Sequence, residues 1–321
     1  MGKIKAALDE SRTLMLGAQI LLGFQLQAPF QNAFEHLTPG EKTIEVVVLC
    51  IMVLVLGLLV CPSAYHRIVH RGHAAPSVEG IVKWAMAATL LPFAVALGLD
   101  LYIAGNRVAG FTTGVVAAAA GTILALGFWY GLPLLHDRQQ REQAMPIAKE
   151  TPIGTKVEHV LTEARVVLPG AQALLGFQLA IILTDGFEHL PPSTKLVHGL
   201  ALGLVALSTV LLIAPAAYHR LGYQGRDTEG FHAMASRLVL AATVFLALGL
   251  CADIHVVVQK ITLSDGLANL LAGLSAMLLL GLWYVLPLWH RHRQLDKEQS
   301  ADIQPRHQDR RTEPGSHNLP M

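Results

Sequence analysis

Two pairs of glutamines, one pair of aspartates and a set of histidines are the side chains whose type and spacing could hold a proton, an ion or a cofactor. Gln19 and Gln25 recur 153 residues later as Gln172 and Gln178, all inside long apolar runs. Amides in such runs either hydrogen-bond neighbouring helices together or line a polar pathway. Six residues apart, the two glutamines of a pair point about 120° away from each other on a helix and do not share one pocket. Arg12 with Gln19, and Arg165 with Gln172, are seven apart and share a face. Asp100 and Asp253 are matched in the same way, with Tyr102 and His255 two residues on and the cations Arg107 and Lys260 seven residues on. Carboxyls among Ala, Leu, Gly and Cys can take up and release protons; the plainer reading is an aspartate near the end of its run, bonded to a neighbouring helix.

Glu35-His36 and Glu188-His189 close the first apolar run of each half, where a carboxylate beside an imidazole offers a metal or proton site. His198 and His255 should lie at the depth of His189 in the second half. His66 and His219 close the second runs and His136 and His290 the fourth, each beside Arg, Trp or Tyr. Facing histidines on two helices can hold a haem axially, but this composition is that of an interfacial belt, so no cofactor is expected. Cys50, Cys61 and Cys251 form no CxxC pair and are odd in number, which leaves neither a disulfide framework nor a zinc site. No GxxxxGK[ST], HExxH, Gly-x-Ser-x-Gly or GxGxxG run occurs, so an enzyme is not indicated.

The elements that position these residues come in two copies. Arg12, Gly17-Ala18-Gln19, Leu21 to Leu26 and Phe34-Glu35-His36-Leu37 return as Arg165, Gly170-Ala171-Gln172, Leu174 to Leu179 and Phe187-Glu188-His189-Leu190. Pro62 to Arg67 returns as Pro215 to Arg220, and Trp129-Tyr130 as Trp283-Tyr284, one residue later than the common offset. Only 15% of the 321 residues are charged and 53% are hydrophobic, too little polar surface to cover a soluble globule of this size. A net charge of +1 gives no hold on nucleic acid. The composition is that of a membrane protein whose main partner is the lipid bilayer.

Each copy contains four apolar runs near the ~20 residues needed to cross the hydrocarbon as a helix. They lie at about 14–34, 44–64, 82–103 and 110–135, and at about 166–187, 196–217, 235–258 and 264–289. The expected fold is therefore all-α, with eight transmembrane helices in two four-helix repeats over 1–138 and 165–292, a linker at 139–164 and a disordered tail at 293–321. The first run follows Lys3, Lys5 and Arg12 like a signal peptide, yet its internal twin cannot be cleaved as one, so it is read as a retained helix. One side collects 20 of the 24 Lys and Arg, the other only Lys42, Arg107, Lys195 and Lys260. Both termini are accordingly expected in the cytoplasm, with the chain in the inner membrane and both repeats in the same sense. Small residues at spacing four, Gly110/Gly114/Ala118, Gly199/Gly203 and Ala268/Ala272/Ala276, are expected to pack helices closely. The centres of the eight runs hold no Asp, Glu, Lys, Arg or His, and Pro92 is the clear interrupter near a span's middle.

The run from Arg12 through Phe-Glu-His-Leu to Tyr65-His66-Arg67, repeated from Arg165 to Arg220, resembles an uncharacterised bacterial family of four-helix membrane proteins, a domain of unknown function. Some of its members carry the label sodium:proton antiporter. The resemblance implies a fused pair of that unit and assigns no catalytic residues. Three functional classes follow: a small-solute or ion transporter, for protons or sodium; a non-catalytic scaffold acting through a protein partner at the cytoplasmic loops or tail; and a bis-histidine haem electron carrier.

Overall fold

A computed structural model describes residues 2–70, 76–131, 152–221 and 226–293. The described residues are helical and contain no strand. Eight main helices follow one another: α1 (Gly2–Gln27), α2 (Pro39–His70), α3 (Pro76–Ala109), α4 (Phe111–Leu126), α5 (Ile153–Ile182), α6 (Pro192–Leu221), α7 (Glu229–Thr262) and α8 (Asp265–Leu280). Residues 139–150, the tail from 294 and His136 lie outside the described residues. Helix α5 begins at Ile153, so the second half of the expected linker is the first three turns of a helix.

Local sequence explains where the helices start and stop. Thr38 and Glu41 form a capping box at the head of α2: the Thr38 backbone N–H donates to the Glu41 carboxylate at 2.8 Å, and the Glu41 N–H donates to Thr38 Oγ1 at 3.3 Å. Thr228 caps α7 by accepting from the Phe231 N–H at 3.1 Å. At the junction of α3 and α4, Gly110 takes a positive φ of 86°, a conformation that favours glycine.

Six helices are long and apolar enough to cross a membrane: Pro39–Val69, Trp84–Ala109, Ile153–Ile182, Pro192–His219, Glu229–Thr262 and Asp265–Arg293. These mark the chain as a membrane protein. Two further apolar helices are shorter, Leu14–Phe30 and Phe111–Leu126. The second spans 16 residues, about 24 Å at 1.5 Å per residue, before its geometry changes. Large apolar side chains such as Phe24, Trp84, Leu196, Val210 and Ile123 face outward, a surface suited to lipid.

Matched residues make matched contacts. The fourth helix of each copy widens into a single π turn, Gly127–Gly131 and Gly281–Val285, just where Trp-Tyr recurs. There Tyr284 Oη donates to the Leu240 carbonyl at 2.7 Å, and Tyr130 Oη donates to the matching carbonyl of Ala87. The two halves meet along α1 and α5, and α8 lies against both α7 and α2. The copies differ where α8 meets α2. Trp283, fully buried, donates from Nε1 to the Gly57 carbonyl of α2 at 2.9 Å, and Leu282 and Leu279 lie where a side chain on Gly57 would stand. Val210 occupies the matching place on α6 and is 62% exposed, while α4 packs chiefly on α3.

The small-residue stripes divide in the same way. Gly114 lies against Tyr102 and Asn106, so this stripe serves the α3–α4 crossing, and Ala268 is buried. Gly199 and Gly203 meet nothing and face outward.

Candidate functional site

The glutamines and aspartates that the sequence presents as separate features meet in pairs. Gln25 Nε2 on α1 donates to Asp100 Oδ2 on α3 at 3.1 Å, and Gln178 Nε2 on α5 donates to Asp253 Oδ2 on α7 at 2.6 Å. Each pair is 75 residues apart in the chain, so the contact is reproduced in both copies. Gln178 and Asp253 are 1% and 3% exposed, Gln25 6%, and Asp100 is half-buried. The aspartates are also farther from the helix ends than the apolar runs indicate. Helices α3 and α7 continue nine residues beyond them, to Ala109 and Thr262, which is about 14 Å of rise.

A third group joins each pair, and here the copies differ. His198, 1% exposed, places Nε2 at 3.1 Å from the Gln178 carbonyl and Nδ1 at 3.9 Å from Asp253 Oδ1. The matching position in the first copy is Glu45, whose carboxyl and that of Asp100 act on one another electrostatically. A carbonyl oxygen only accepts, so the hydrogen in the first contact sits on His198 Nε2, which turns the other ring nitrogen toward the aspartate. Beside these groups, Gln25 Oε1 and Gln178 Oε1 are buried without a hydrogen-bond partner among the described residues. Each site thus brings together one carboxyl, one amide and a second titratable group in apolar surroundings.

Among the described residues, the cations seven positions past the aspartates form no ion pair with them. Lys260 pairs with Glu35 at 3.6 Å, and Asn106 rather than Arg107 donates to Glu41, at 2.7 Å. The other matched glutamines diverge. Gln19 is completely buried against Gly170 at the α1–α5 contact, with neither its oxygen nor its nitrogen partnered among the described residues. Gln172, its twin, faces outward.

The Glu-His pairs in the loops that follow α1 and α5 are exposed and serve those loops. Lys42 Nζ donates to the Glu35 carbonyl at 3.4 Å, and Lys195 Nζ to the Glu188 carbonyl at 2.7 Å. The same lysines stand over Phe34 and Phe187 at 5.9 and 5.7 Å. His36 is exposed, and His189 contacts the Asp185 carbonyl at 2.7 Å. The gathering of His189, His198 and His255 does not form: His198 turns inward to Asp253, and among the described residues no three His, Cys, Asp or Glu form a metal-binding group.

At the opposite end the described histidines take separate partners. The His66 ring lies 6.0 Å from that of His159, His219 Nε2 is 3.2 Å from Asp227 Oδ1, and His290 packs edge-on against Tyr65 at 5.7 Å. Sequence reasoning placed these residues in an interfacial belt and missed the buried cluster that His66 introduces. Next to it, Arg67 is 7% exposed, pairs with Glu163 of α5 and donates to the Ser236 carbonyl of α7 at 3.2 Å. One cation of the first copy thereby ties two helices of the second.

The chain belongs to the DUF6328 family, a family of unknown function, whose model matches twice, over residues 3–133 and 151–287. The two matches agree with a tandem duplication of one unit. No curated protein and no solved structure matches the chain.

Proposed function

We propose that this protein is a multi-pass protein of the inner membrane that moves a small cation, in the first place the proton, without covalent catalysis and without a cofactor. In this reading α1 and α4 complete eight spans, the two four-helix repeats run in the same sense, and both termini are cytoplasmic. The observation that carries it is the repeated bond between a buried glutamine and a buried aspartate, Gln25–Asp100 and Gln178–Asp253.

A carboxylate enclosed by apolar helices is stable only with a compensating positive charge, either a proton or a cation. The glutamine amide orients the carboxyl by donating to one oxygen. The third group then decides what the site exchanges. In the second repeat His198 Nδ1 stands 3.9 Å from Asp253 Oδ1, beyond hydrogen-bond reach, so a proton on the carboxyl or on the ring compensates the site, and its loss leaves a carboxylate facing a ring nitrogen lone pair. In the first repeat Glu45 supplies a second carboxyl in place of the imidazole. The unpartnered amide of Gln19, at the contact of α1 with α5, is a further polar step between the repeats.

The test is proton flux into proteoliposomes carrying a pH-sensitive dye. Wild type should pass protons above the rate of empty vesicles, and the double variant Asp100→Asn with Asp253→Asn should fall to that background. Undiminished flux in the double variant removes both aspartates from the mechanism, and a silent wild type, correctly folded and inserted, overturns the transport reading in favour of a scaffold.

A further inference from the structure

Between α5 and α6, at their basic end, the second repeat holds an open groove of about 300 Å³. Its walls include Leu168, Leu212, Ile213 and Ala216, and its lining also includes two residues with basic side chains, Arg165 and His219. Asp227 engages His219 at 3.2 Å, whereas no ion pair engages Arg165 among the described residues, and its side chain is exposed. Arg165 is therefore a free planar donor beside an apolar trough, suited to a phosphate.

The first repeat shows what the same surface looks like when covered. The residues matching the walls and mouth, Met15, Leu59, Val60, Ser63 and His66, are all at most 6% exposed. Helix α8 and its π turn pack on α2, and His159 of α5 meets His66. In the second repeat no helix of the described residues crosses this position, which in the membrane reading leaves it to the bilayer. A trough that is apolar along its length and cationic at the aqueous end complements a phospholipid lying beside the helices, and basic pockets between spans on the cytoplasmic side are suited to anionic head groups.

We propose that this groove holds an anionic phospholipid of the leaflet on the basic side, its phosphate on Arg165 and an acyl chain along Leu168, Leu212 and Ile213. The inference rests on the membrane spans and orientation of the proposed function and is independent of ion movement.

The experiment is native mass spectrometry of the full chain, delipidated in detergent and titrated with phosphatidylglycerol or phosphatidylcholine. One cation near the surface predicts about a fivefold preference for phosphatidylglycerol. Arg165→Gln should bind both lipids equally, Arg165→Lys should keep most of the preference, and thermal melts of both variants check that they fold. Equal binding of the two lipids by wild type, a preference unchanged in Arg165→Gln, or a lipid-free dimer seated on the groove would overturn the proposal. A preserved lipid preference in a protein that passes no protons would sink the transport reading and leave this site standing.

Discussion

Replacing Glu163 by Gln should damage the protein far more than a change of one charge on a surface helix. Its partner Arg67 is 7% exposed, and the Glu163 side chain 13%, so the pair is shielded from water. The amide introduced by Glu163→Gln would still accept a hydrogen bond, and the Arg67 bond to the Ser236 carbonyl would survive. What disappears is the compensating charge. Removing one partner of a buried pair costs about 3–5 kcal/mol, against about 0–1 kcal/mol for an exposed pair. The double variant Arg67→Met with Glu163→Leu removes the uncompensated charge as well and should recover most of the loss. Steric trapping in detergent micelles, which yields free energies where thermal unfolding is irreversible, reads both quantities. A cost below about 1 kcal/mol for Glu163→Gln, or a double variant as damaged as the single, would refute the claim that this pair is a buried tie between the repeats.

Other substitutions probe the contact between the copies. Gly170→Leu drives a side chain into the space of Gln19 and should weaken α1–α5 packing, read as reduced cysteine cross-linking between these helices, whereas Gly176→Leu, with nothing nearby, should be neutral. Trp283→Phe loses the bond to the Gly57 carbonyl, about 1 kcal/mol, together with packing in a fully buried site. Trp129→Phe, at the half-buried twin stacked on Phe93 at 5.6 Å, should cost less in the same unfolding assay.

Much of the architecture was legible because it rests on local pattern. The duplication declares itself in Phe34 to Leu37 and Phe187 to Leu190, and the apolar runs declare the helices. The angle between Gln19 and Gln25 foretold their different destinations, Gly170 for the first and Asp100 for the second. Pairing across helices was not legible. Gln178 and Asp253 stand on two elements 75 residues apart, and spacing along one helix says nothing about which face another helix presents to it. Aligning the copies would have exposed one missed signal, the exchange of Glu45 for His198 at matched positions beside the aspartates. Arg67 read as a membrane-edge anchor because its partner Glu163 lies in the stretch assigned to the linker. The asymmetric docking of α8, where Trp283 meets the Gly57 carbonyl, was not legible either, because it joins helices of different copies.

The most direct measurement of the central claim is an infrared difference spectrum of the reconstituted protein across a pH step, compared with Asp253→Asn. The account predicts a carboxyl C=O band that titrates in wild type, as the proton held by Asp253 is released, and loses intensity in the variant. A spectrum without a titrating carboxyl band, or one whose band is untouched in Asp253→Asn and in Asp100→Asn, would show that the paired sites exchange no proton.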